Sequence, residues 1–199
     1  MGQAHFHEDK LNFELNAFGR PFIVDPGVHS YSDHWLRQWL TVSQAHNVIL
    51  LDGIGQCRWR QDRDLWYSPV PVDNPCELGT EWDMVEASFD GPYEKDIGKI
   101  TQHRRIIFHK GDMPFWWITD RIEGDGSFDI AELFHLAHDI EKVDHIPGGI
   151  RTSVPGGPDL AIICVQALAG ETATPALPDV QLFRGERNPV RGWTSPVLY

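Results

Sequence analysis

The chain has 199 residues, of which 41% are apolar and 23% charged, proportions that fit one ordinary globular domain with a core of its own. Lys and Arg number 17 against 29 Asp and Glu, a formal net charge of −12, which argues against nucleic acid as a partner because phosphate binding is driven by clustered cations. No stretch approaches the roughly 18 to 20 uninterrupted apolar residues of a bilayer-spanning helix, so no membrane partner is expected either.

Residues 11–17, Leu-Asn-Phe-Glu-Leu-Asn-Ala, place apolar side chains at every second position, the period of a half-buried strand. Gly19-Arg20-Pro21 punctuates the chain, and Phe22 to Asp25 reads as a return strand ended by Pro26-Gly27, so the two form a hairpin. Between Ser32 and Ala45, the three-to-four spacing of Trp35, Leu36, Trp39, Leu40 and Val42 predicts a short helix or an irregular crossover. Val48 to Leu51 with Asp52-Gly53 is a strand and turn.

Residues 99–138 read as a meander of three antiparallel strands, Ile100 to Phe108, Phe115 to Ile122 and Phe128 to Leu136. Beyond Asp144 the chain is rich in Pro and Gly, with one strand at Leu160 to Val165. Short strands with frequent turns predict an all-β, antiparallel β-sandwich over residues 1–170, with 171–199 a loosely organised C-terminal segment of the same domain.

The 3 cysteines, Cys57, Cys76 and Cys164, are far apart with no CxxC pair, which excludes a disulfide-dense scaffold and a cysteine zinc knuckle. The 10 histidines invite a search for ligand spacing instead. In extended chain, His5 and His7 project from one face, so both imidazoles can converge on one cavity; the plain alternative is a solvated, tag-like N-terminus. A hairpin brings Asp25 back beside the start of the first strand, and His46 stands just before the next. Two imidazoles and a carboxylate suit zinc, and could also hold manganese or iron. A cupin also opens on HxH, but its glutamate would fall four or five residues later, where this chain has Leu11 and Asn12.

The ordered set His5-Phe-His7-Glu-Asp9, Asn12-Phe13-Glu14-Leu15, Phe18-Gly19-Arg20-Pro21, Val24-Asp25-Pro26-Gly27, Tyr31 and Ala45-His46-Asn47-Val48 with Asp52-Gly53 resembles the C-terminal domain of the heparinase II/III family of polysaccharide lyases. The likeness is densest over residues 5–56. It continues through His103-Arg104-Arg105, Trp116-Trp117-Ile-Thr-Asp120 and Glu132-Leu-Phe-His135.

The resemblance implies a β-sandwich beside an N-terminal α/α toroid, with an anionic, uronate-containing polysaccharide cleaved between them. It implies one zinc ion, mainly structural, held by His7, Asp25 and His46, with His5 facing substrate. The reaction would be β-elimination, in which a base removes the C5 proton and an acid protonates the departing C4 oxygen. His5 and Tyr31 are the candidate catalytic residues, although a tyrosine after the DPG turn could equally cap the sandwich edge. The family is periplasmic or secreted.

Arg37 and Arg104 are candidate substrate-binding forks for carboxylate or sulfate; strand alternation lets only one of Arg104 and Arg105 face a groove. Trp35, Trp39, Trp59 and Trp66 are candidate stacking rings, or simply core. His103, His109, His135 and His138 read as surface or satisfied core histidines. The toroid is missing from this chain, so its activity alone is in question, and self-association through the toroid-facing surface is expected. The other readings are a metal-stabilised carbohydrate-binding accessory domain without turnover, and a non-catalytic scaffold with incidental histidines.

Overall fold

The computed structural model describes residues 7–29, 31, 35–57, 74–165, 179–188 and 190–192. His5, Trp59, Trp66 and most of the segment from residue 171 onward lie outside the described residues. Strands dominate, their pairing is antiparallel throughout, and the domain is an all-β sandwich. Among the described residues no helix is long and apolar enough to cross a membrane.

The expected N-terminal hairpin is β1 (Leu15–Ala17) and β2 (Arg20–Ile23). Its two-residue loop has φ of 51° at Phe18 and 76° at Gly19, the pair of positive values that matches a tight turn to the twist of its strands. A short helix, α1 (Trp35–Trp39), follows. Five residues cannot hold a helix unaided, and α1 is fixed by burying Leu36 and Trp39 with Leu40 and Ala45. A 3-10 turn at Ser43–Ala45 leads into β3 (Ile49–Leu51).

One layer of the sandwich is a four-stranded sheet of β4 (Cys76–Leu78), β5 (Trp82–Phe89), β6 (Ile100–His109) and β7 (Phe115–Gly124), in that order. The sequence reading assigned the last two and missed the first two. Residues 76–89 carry apolar groups on both faces, Val85 on one and Trp82 and Met84 on the other, so the alternation that marks a half-buried strand is blurred.

The expected third strand of the meander is corrected by the structure. Gly124 and Gly126, both at positive φ, turn the chain off the sheet, and β8 (Ile130–Glu132) pairs with β3 instead of β7. Reciprocal bonds from Asp52 N to Asp129 O and from Asp129 N to Asp52 Oδ1 fix that crossing. The same segment then runs beside β2, with Val24 N donating to His135 O and Ala137 N to Phe22 O. The single strand expected after residue 144 is also corrected: β9 (Lys142–Ile146) and β10 (Gly149–Ser153) form a hairpin, joined by β11 (Ala161–Ile163). A small ribbon of β12 (Glu186–Arg187) and β13 (Val190–Arg191) completes the described chain.

Two apolar clusters hold the layers. Ile49 and Leu51 of β3 meet Phe89 and Ile100 from the four-stranded sheet and Tyr93 from the loop between β5 and β6. Leu15, Phe22 and Ile23 of the hairpin meet Ala137 and Ile140, flanked by Trp116, Val143 and Ile162. Burying a side chain of this size contributes about 1.5 to 3 kcal/mol. Between the clusters runs a polar seam, where the candidate site lies.

Candidate metal centre

Asp25 lies two residues beyond β2. Its Oδ1 accepts from Gly27 N at 3.0 Å, and its Oδ2 accepts from Asn12 Nδ2 at 3.0 Å and stands 2.9 Å from His46 Nδ1. Burial alone would raise the Asp25 carboxyl, but the bonds from His46 and Gly27 outweigh it and hold the group below its ordinary value. His46 ends the 3-10 turn, its main-chain N–H bonded to Ser43 O, and its ring is fully buried. The His7 ring lies 5.3 Å from the His46 ring, centroid to centroid. His7, Asp25 and His46, remote in sequence, therefore share one corner of the fold.

His7 is held neutral. Burial first, then the proximity of His46 and Arg37, lowers its pKa from 6.5 to about 4, because a desolvated imidazolium is costly and like charges add to that cost. Arg37 Nη1 is 3.0 Å from His7 Nε2, and the Arg37 guanidinium also lies over the Tyr31 ring, 5.5 Å from its centroid. Tyr31 is 62% exposed, a rim position. The chain of contacts runs from Tyr31 through Arg37 and His7 to His46 and Asp25.

Asn47 secures the corner. Its Nδ2 donates to Phe13 O and Val24 O, its Oδ1 accepts from His135 N at 2.6 Å, and its own N donates to Asn12 Oδ1. One side chain thereby joins the segment before β1, the end of β2 and the segment after β8.

Arg104 is corrected from substrate fork to strut. It is 3% exposed, forks onto Asp120 through Nε and Nη2, and donates from Nη1 to Leu11 O and Asn47 O. Its remaining Nη2–H lies toward Glu132, 3.7 Å away, so the buried guanidinium is turned inward onto the protein's own acceptors. Arg105 faces the other side of the sheet and pairs with Glu86.

His135 was set among the unremarkable histidines, yet it sits beside the centre. Its main chain bonds Asn47 on one side and Val24 on the other, the neighbours of His46 and Asp25. Burial first, then His46, lowers its pKa to about 4. Its place in the Glu132-Leu-Phe-His135 match was the one signal that could have found it.

Two imidazoles and a carboxylate are the donor chemistry of a three-ligand zinc site, with Zn–N of about 2.0 to 2.1 Å. Among the described residues no three His, Cys, Asp or Glu side chains form a ready-made ion-binding group: His46 and Asp25 touch, while His7 stands one ring away with Nε2 on Arg37. The fully buried His46 Nε2 has no hydrogen-bond partner, an expense that a native interior seldom carries without a reason. The donor set fits zinc.

An antiparallel sandwich whose seam gathers histidines and a carboxylate defines a β domain built around a candidate metal corner. The chain matches the family described as heparinase II/III-like, C-terminal, over residues 1–194, and it belongs to that family. Membership places it in a polysaccharide-lyase context. No curated protein and no solved structure matches the chain.

Proposed function

We propose that this chain is the zinc-stabilised β-sandwich part of a lyase that cleaves uronate-containing polysaccharide by β-elimination. The observation that carries this reading is the convergence of His7, Asp25 and His46 in a chain of the heparinase II/III-like family. Bound there, a zinc ion would pin the strand ends and bias the proton affinities around it.

This chain's own residues would then divide the work. Arg37, between Tyr31 and His7, takes the uronate carboxylate, since a guanidinium offers planar paired donors. Masking that charge makes removal of the neighbouring C5 proton easier. Tyr31 and His5 are the candidate proton carriers, the first because it stands on the rim beside Arg37. A toroid domain supplies the opposite wall, and the location is periplasmic or secreted. The outer face of the four-stranded sheet, which exposes Trp82, Phe115 and Trp117, suits contact with such a domain or with a second copy of the chain.

The second reading is a metal-stabilised carbohydrate-binding domain without turnover, favoured by the exposure of Tyr31. Elemental analysis of purified, chelator-free protein tests what both share. We expect about one zinc per chain, lost in each of His7→Ala, Asp25→Ala and His46→Ala. Metal-free wild-type protein would remove the site. Release of unsaturated uronate by the full-length protein, abolished in Arg37→Ala and Tyr31→Phe, separates the lyase from the accessory domain.

A further inference from the structure

The two edges of the four-stranded sheet are built differently. β4 is three residues long, and a very short edge strand is one of the ways in which proteins keep a sheet from pairing with another chain. β7 runs for ten residues, pairs with β6 in an unbroken register, and contains neither proline nor lysine. Among the described residues no main-chain bond reaches β7 from its other side. Alternate N–H and C=O groups along this strand therefore face outward without a protein partner. Burial agrees with an open edge: Gln102 of β6 is buried, while Ile122 opposite it on β7 is only half-buried.

The sequence of β7 is complementary to itself. Phe115, Trp117, Thr119, Arg121 and Glu123 share the outer face, and Trp116, Ile118, Asp120 and Ile122 the inner one. Let a second β7 run antiparallel with Thr119 opposite Thr119. Arg121 then falls opposite Trp117 of the second copy on both sides of the two-fold axis, and Ile122 falls opposite Trp116. A guanidinium over an indole and an aliphatic chain beside one are favourable cross-strand pairs. Phe115 meets Glu123, and Asp120, already held by Arg104, meets Ile118, so no two like charges face each other. Centring the axis on Asp120 instead would set that carboxylate against itself, which disfavours the slipped register.

We propose that β7 is the contact edge of a symmetric dimer, in which two copies join their four-stranded sheets into one continuous sheet about a two-fold axis at Thr119. Such a contact uses the same edge on both copies and closes on itself, so it stops at two. It does not depend on the zinc reading, and it leaves the outer face clear for a neighbouring domain.

The test is sedimentation velocity of the full chain over a wide concentration range, with far-ultraviolet circular dichroism to confirm that each variant is folded. Wild type should be a dimer that dissociates on dilution. Thr119→Lys, at an exposed position, sets two ammonium groups against each other on the axis and should be monomeric, whereas Thr119→Val should remain a dimer. Arg121→Gln removes two exposed cation–π contacts and should weaken the dimer about 5- to 30-fold. Trp82→Ser, on the outer face of β5 and away from the edge, should change nothing, since Trp82 would matter only if copies stacked face to face. The proposal is overturned if wild type is a monomer at every concentration, or if Thr119→Lys or Arg121→Gln associates as tightly as wild type. Loss of the dimer in Trp82→Ser would overturn it equally, by moving the contact to the outer face.

Discussion

Arg37 Nη1 stands 3.0 Å from His7 Nε2, and because a guanidinium has donors and no acceptor, the histidine nitrogen must be the acceptor. His7 therefore carries its proton on Nδ1 and is neutral at pH 7, in line with a pKa of about 4. With a native value below the usual 6.5, this group contributes stability above pH 6.5 and loses it as pH falls toward 4. In zinc-free protein, Arg37→Ala should raise the His7 midpoint without restoring 6.5, since burial is the larger cause. An NMR titration of the His7 ring proton reads this directly, and a wild-type midpoint near 6.5 would contradict it.

Asn47 makes three buried side-chain bonds across the seam. At about 0.5 to 1.5 kcal/mol each, Asn47→Ala should lose about 1.5 to 4.5 kcal/mol in urea unfolding. Asn47→Asp should be worse, because it turns a carboxylate toward the carbonyls of Phe13 and Val24 and removes both donors. Equal stability of the two variants would mean that the donor side of Asn47 matters little.

The Arg104 and Asp120 side chains are 3% and 9% exposed. Removing one partner of such a buried pair costs about 3 to 5 kcal/mol, so Arg104→Met should destabilise by that amount. Arg104→Lys should recover little, as a single ammonium cannot fork onto Asp120 and also reach Leu11 O and Asn47 O. Thermal or urea denaturation of the two variants decides it, and a lysine variant close to wild type would refute the strut.

Glu132 on β8, its side chain still 31% exposed, has its pKa raised from 4.5 to about 7, by partial desolvation and then by Asp120, against the pull of Arg104. A carboxyl whose native value lies above its unfolded one stabilises the fold below pH 4.5, and that contribution is lost as pH rises toward 7. Glu132→Gln should match wild type below pH 4.5, gain on it between 4.5 and 7, and hold a constant advantage above. His7 and His135 change stability in the opposite sense over an overlapping range, but they are common to both proteins and cancel in the difference. A difference that does not vary with pH would show that Glu132 titrates normally.

Much of this architecture was legible in the sequence. The hairpin, the α1 region and strands β6 and β7 follow from period and punctuation, because each is set by neighbours close along the chain. Asp25 could be placed beside the start of the first strand on paper, since a hairpin fixes where its far end returns, whereas His46 joined it only through the family resemblance. The pairing of β8 with β3 could not, for it depends on where Gly124 and Gly126 send the chain and on bonds between Asp52 and Asp129. Arg104 was misread for a similar reason: nothing local distinguishes an arginine that finds Asp120 opposite it from one that faces solvent. His135 was legible only through the Glu132-Leu-Phe-His135 match, as its place between Val24 and Asn47 depends on where the segment after β8 runs.

The corner at His46 has no local precursor. The bond from His135 to Asn47 spans 88 residues and that from Arg104 to Leu11 spans 93, so the loops that must close around it are among the long and slow ones of folding. A nascent chain that has made the hairpin but not yet placed β8 holds His7, Asp25 and His46 without the frame that keeps them together. On the zinc reading proposed above, metal uptake would report that closure, silent until β8 has crossed.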